Sequence, residues 1–131
     1  MSEVITLSVP ADAGYLTVVR TAAAAVAARL GATVDDIEDL RIAVNEACAV
    51  LLAHSDPGAS LDCRFELDGG RDLGFRVVVP SAHGEVPEPG SFAWMVLESL
   101  TGRVAVGTDE HDGVRTAHVA FVRTIGVAEP A

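Results

Sequence analysis

Thr33-Val34-Asp35-Asp36-Ile37-Glu38-Asp39-Leu40-Arg41-Ile42-Ala43-Val44-Asn45-Glu46-Ala47-Cys48-Ala49-Val50-Leu51 is the stretch on which the fold turns. Ile37, Leu40, Val44, Ala47, Cys48 and Leu51 recur at helical spacing, which makes one wide face apolar. Thr33 followed by Asp36 forms a capping-box-like start, and Asp35 and Asp36 suit the positive end of the helix dipole. Ser55–Gly58 ends the helix. Glu46 lies in its middle, where a carboxylate either faces solvent or turns into a pocket.

Working outward, Val4, Ile5, Leu7 and Val9 predict a strand that stops at Pro10. Leu16, Val19, Ala23, Val26, Ala27 and Leu30 predict a helix over 11–30, with Gly31 at its C-terminal cap. After the central helix the period changes to two. Leu61, Cys63, Phe65 and Leu67 alternate with polar residues, Asp68–Asp72 supplies a turn, and Leu73, Phe75, Val77 and Val79 alternate again. Pro80–Gly90 reads as a loop, and Ser91 caps a short helix carrying Phe92, Met95, Val96, Leu97 and Leu100. Val104 and Val106 mark a strand, Thr108–Gly113 a turn and Val114–Ile125 a last strand. The expected fold is α+β, a two-layer sandwich of a mixed, mostly antiparallel sheet covered by three helices. One domain over 1–131 is expected, with fraying of the last few residues.

Composition removes several functions. Nine basic residues against nineteen acidic ones give a net charge of −10, which disfavours direct nucleic-acid binding and favours a basic partner. All basic residues are Arg, and without Lys no GxxxxGK[ST] phosphate loop exists. Cys48 and Cys63 fit neither a zinc spacing nor a CxxC pair, so buried free thiols are expected. His54, His83, His111 and His118 show no metal-site spacing and suit surface or turn positions. The N-terminus does not resemble a signal peptide, and no segment has membrane-spanning length, so a cytoplasmic location is expected.

The order of elements around the Glu-bearing helix resembles the Bergerat or GHKL fold of gyrase-type ATPases, histidine kinases and MutL. Asp39-Leu40-Arg41-Ile42-Ala43-Val44-Asn45-Glu46-Ala47-Cys48 is similar to the N-box helix of the RsbW and SpoIIAB anti-sigma factor kinases. Pro89-Gly90-Ser91-Phe92-Ala93-Trp94-Met95-Val96-Leu97-Glu98-Ser99-Leu100 looks most like actinobacterial, including mycobacterial, versions of RsbW, and the resemblance covers about residues 4–125. It implies that Glu46 is the general base toward a serine of an anti-anti-sigma (STAS-type) protein. It also implies nucleotide contacts at Gly84, Gly90 and Ser91.

The chain departs from that pattern in three places. Val50 stands where the family has a magnesium-holding Asn, and Val offers no oxygen to a hard cation. Asn45, next to Glu46, points about 100° away from it on the helix and does not replace the missing Asn. Pro80-Ser81-Ala82-His83-Gly84 keeps only the last glycine of the adenine loop, with Pro80 in place of the Asp. In Gly90-Ser91-Phe92, Phe92 takes a glycine position and is expected to fill the nucleotide space. The resulting expectation is no metal and no tightly bound cofactor, with weak Mg-ATP binding as the alternative.

The resemblance further implies sequestration of an RNA-polymerase sigma factor, release by an anti-anti-sigma protein, and a homodimer. Arg20 is the candidate ionic contact on the first helix, and Asp35, Asp36 and Asp39, which with Glu38 form the densest acidic cluster, are candidate contacts to a basic partner. Arg20 pairing within the chain, and the acidic cluster serving as helix cap, remain open beside those roles. Phe92, Trp94 and Met95 cannot share one inward face, so one of them is expected outside. The favoured function is anti-sigma binding. An ATP-dependent serine kinase is the rival, and a plain dimerisation module a third reading.

Overall fold

A computed structural model describes residues 2–81 and 83–126. Strand β1 (Glu3–Pro10) leads through a 3-10 turn (Ala13–Tyr15) into helices α1 (Leu16–Arg29) and α2 (Val34–Leu52). Strands β2 (Ser60–Leu67) and β3 (Asp72–Pro80) follow, then α3 (Phe92–Leu100), β4 (Arg103–His111) and β5 (Val114–Thr124). The strands form one sheet in the order β1-β2-β3-β5-β4, and all four pairings are antiparallel. The expected α+β two-layer architecture holds, and the sheet is wholly antiparallel among the described residues. The chain end expected to fray lies outside them.

Alternation along the strands creates the core. Leu61, Cys63, Phe65 and Leu67 on β2, Leu73, Phe75, Val77 and Val79 on β3, and Ala117, Val119 and Phe121 on β5 all point at the helices. Phe65, Phe75 and Phe121 sit side by side by register, with ring centroids 5.1 and 5.3 Å apart. Burying each such side chain contributes roughly 1.5–3 kcal/mol. Helix α2 packs between α1 and α3 and over β3 and β5, which explains why its stripe of Leu40, Ala43, Val44, Ala47, Cys48 and Leu51 is buried. On α1, fully buried Ala23 and Ala27 carry little bulk between the two helices.

Local signals set the helix ends. Gly31 takes φ +77, while its N–H donates to Ala28 and that of Ala32 to Ala27, a Schellman ending for α1. Thr33 Oγ1 accepts the N–H of Asp36 at 3.1 Å and caps α2. Two boundaries differ from expectation. Helix α1 begins at Leu16, because Asp12 accepts the Gly14 N–H and closes a 3-10 turn first. The turn predicted over Thr108–Gly113 contracts to Asp112 and Gly113, at φ 52 and 79, and β4 runs on to His111. An Asp-Gly pair with two positive φ angles is a two-residue hairpin turn whose twist matches the strands it joins. Among the described residues, no helix is long and apolar enough to cross a membrane.

Candidate functional site

Helix α2 repeats Glu38, Arg41, Ile42, Asn45 and Glu46 at spacings of three and four, which brings them onto one face. With Arg20 of α1 they line an open groove of about 280 Å³ between the two helices. Glu46 is half-buried there. Arg20 is oriented by two uncharged partners: its Nη1 donates to Asn45 Oδ1 at 2.5 Å and its Nη2 to Thr17 Oγ1 at 2.9 Å. Neither bond neutralises the guanidinium, so a fixed positive group lines the same groove as the Glu46 carboxylate. The intrachain pairing of Arg20 therefore positions it within the groove. No sequence signal links Arg20 to Asn45, the chain's only asparagine, because they lie 25 residues apart.

The loop after β3 is tied to the end of α2. Ser81 is 1% exposed; its Oγ donates to the His54 carbonyl at 2.8 Å and accepts the Gly84 N–H at 3.2 Å. The Pro80 carbonyl accepts the Asp56 N–H, and His54 Nε2 lies 3.1 Å from Glu85. No local pattern marks Ser81, because its role depends on a helix end 27 residues away. Gly84 has φ +60 and packs close to Arg115 and Thr108. Gly90 has φ +89 with open space where a Cβ would lie, and Ser91 caps α3 by accepting the Trp94 N–H at 3.2 Å.

Phe92 departs from expectation. It is 78% exposed and does not fill an internal nucleotide space; Met95, one turn on, is 60% exposed. The geometry of α3 explains this, since burial of Leu97 turns the Phe92–Met95 side outward. Trp94 is held at the edge, its Nε1 donating to Glu98 at 2.7 Å.

The acidic cluster also divides. Asp36 is 7% exposed, pairs with Arg123 Nη2 at 2.7 Å and accepts the Gly126 N–H at 2.8 Å. Asp39 meets the same Arg123 nitrogen at 3.1 Å. Burial pushes the Asp36 carboxyl up, but hydrogen bonds from Arg123, Thr33 and Gly126 outweigh it and leave the pKa below the ordinary value. Asp36 is thus turned into the fold, away from the partner face expected for it, whereas Asp39 shares Arg123 with it and keeps its side chain 39% exposed. Asp35 stays exposed, and Glu38 pairs with Arg41 at 3.4 Å.

Val50 presents no oxygen one turn beyond Glu46, and Pro80 no side-chain acceptor for an adenine amino group. Gly84 is closely approached by two side chains of its own chain. Among the described residues, no three His, Cys, Asp or Glu side chains gather as a metal site. Cys48 and Cys63 are buried and free, and a thiol hydrogen bond with Cys63, aided by burial, pushes Cys48 well above its usual pKa.

Residues 9–113 match the family described as histidine kinase-like ATPase domain. The chain is similar to a serine-protein kinase RsbW of Halalkalibacterium halodurans, 44% identical over 66 residues, covering 50% of this chain and 41% of that protein. It is also similar to the serine-protein kinases RsbW of Bacillus velezensis and Bacillus thuringiensis. The first is 47% identical over 51 residues, covering 39% of this chain and 32% of the relative. The second is 43% identical over 53 residues, covering 40% and 33%. The matched part therefore spans 41% or less of these curated relatives. Among solved structures, the histidine kinase domain of a blue-light-activated histidine kinase from Erythrobacter litoralis shares the fold. Its TM-score is 0.50 at 14% identity, covering 86% of this chain and 61% of that one.

Proposed function

The chain belongs to the histidine kinase-like ATPase domain family, and from that premise we propose that it is an anti-sigma factor. It would hold an RNA-polymerase sigma factor until an anti-anti-sigma protein of STAS type displaces it. The observation that carries this reading is the α1–α2 groove, which Glu46 also lines and in which Arg20 is preset by Asn45 and Thr17. Exposed Ile42 gives that groove an apolar contact next to its charges. Arginine is among the residues enriched at binding hot spots. The net charge of −10 would speed encounter with a basic partner. Edge strand β1, with Val4 and Ile5 exposed, is the proposed surface for a homodimer.

The deciding experiment is calorimetry of the chain against each sigma factor of its own genome, with and without Mg-ATP. One sigma factor is expected to bind without nucleotide, and Arg20→Ala to weaken that complex at least about tenfold, a typical hot-spot loss. Absence of binding to every sigma factor overturns the reading. Glu46 in the same groove supports a second one, a serine kinase acting on the anti-anti-sigma protein. Mass spectrometry of that antagonist after incubation with Mg-ATP tests it. Phosphate transfer that is lost in Glu46→Gln would establish the kinase.

A further inference from the structure

The face of the sheet turned away from the helices carries a pair of arginines that the α1–α2 groove does not use. Register places Arg64 of β2 directly opposite Arg76 of β3. Cross-strand Cβ atoms lie about 4.5–5.5 Å apart, and like charges so placed repel. Each guanidinium meets its carboxylate only loosely: Arg64 to Glu66 at 3.8 Å, Arg76 to Asp109 at 3.9 Å. Those separations exceed hydrogen-bond length, so both carboxylates are exchangeable. All four side chains are about half exposed or more.

The pair stands at the boundary of two concavities. One, of about 400 Å³, has Gly74, Ala120 and Val122 on its floor, where small side chains leave the sheet uncovered. The other, of about 350 Å³, is edged by Thr6 and Ser8 of β1 and by Asp62 of β2, whose carboxylate accepts from the Ser8 hydroxyl at 2.7 Å. Both are open depressions on the sheet surface, with room for a group the size of an aromatic ring but no enclosing wall.

We propose that this outer face binds a small organic phosphate, with the phosphoryl group between Arg64 and Arg76 and the apolar body on Gly74, Ala120 and Val122. A phosphate monoester carries close to two negative charges and three terminal oxygens, enough to engage both guanidinium forks. A carboxylate has one charge and two oxygens, and satisfies one fork. Bringing the dianion in converts the Arg64–Arg76 repulsion into two attractions. The site lies across the sheet from the α1–α2 groove and stands independently of the anti-sigma reading.

The test is an amide NMR titration of the full chain with phenyl phosphate, inorganic phosphate and benzoate as probes. Saturable shifts at Gly74, Ala120 and Val122 are expected with phenyl phosphate, at an affinity at least tenfold above that of either other probe. Arg64→Gln and Arg76→Gln should each weaken it at least tenfold. Melting provides a second readout. In phosphate-free, low-salt buffer Arg64→Gln should melt at or above the parent temperature, and phenyl phosphate should raise the Tm of the parent only. Shifts that are absent, map elsewhere or survive both substitutions overturn the proposal. So does equal binding of benzoate, or a lower Tm for Arg64→Gln.

Discussion

Gly84 holds φ +60, and a Cβ added there would come within 2.8 Å of Arg115 Cδ and 3.1 Å of Thr108 Cγ2. The missing side chain lets the loop lie close against β4 and β5. Gly90 has a comparable backbone, φ +89, with open space around it. An alanine at either position adopts a left-handed conformation at a cost of about 1–2 kcal/mol. Gly84→Ala should therefore destabilise the fold more than Gly90→Ala, because Arg115 and Thr108 must also move. Urea denaturation of the two variants measures the difference, and equal losses would contradict the packing role. At this scale the sequence showed which residue types stand at each place, yet not what they touch. Phe92 demonstrates the limit, since its bulk was legible and its outward direction was not.

Helix α2 and strand β5 are joined by Arg123. Its Nη2 reaches Asp36 and Asp39, and its Nη1 donates to the Leu100 carbonyl at the end of α3. One side chain thus fastens the start of α2, the end of α3 and the last strand. Removing one partner of a buried ion pair costs about 3–5 kcal/mol, because the other charge is left unpaired. Residual hydrogen bonds to Asp36 from Thr33 and Gly126 place Arg123→Ala near the lower end, about 3 kcal/mol. Arg41→Ala, which loses only the exposed pair with Glu38, should cost less than about 1 kcal/mol. Thermal and chemical unfolding of both variants checks the contrast. The elements themselves were readable in advance, since alternation and helical spacing survive in any local window. Their ends were less so: Asp12 converts the start of the first helix into a 3-10 turn, and the Asp112–Gly113 signal was spread over too long a turn.

For the molecule as a whole, stability should fall on acidification in two stages. Burial, helped by Arg76 and opposed by Asp109, lowers the His118 pKa. As pH drops below about 6.5 the unfolded chain takes up that proton first, so folding loses free energy. Asp36 also has a lowered pKa, so its contribution is present above about pH 4 and disappears as pH falls through its folded value. Equilibrium unfolding between pH 8 and 3 should show His118→Gln flattening the first stage and Asp36→Asn the second. A pH dependence unchanged by either substitution would refute the assignment. By itself the sequence determined the helix stripe and its Thr33 cap, the alternating strands, the α+β class and the kinship carried by the Glu46 helix. These are properties of residues close together in the chain. Tertiary structure alone decided that Asp36 turns in while Asp35 stays out, that Asn45 steers Arg20, and that Arg64 faces Arg76. Those outcomes rest on partners from 12 to 90 positions apart, brought together by sheet register and helix packing, which no local pattern encodes.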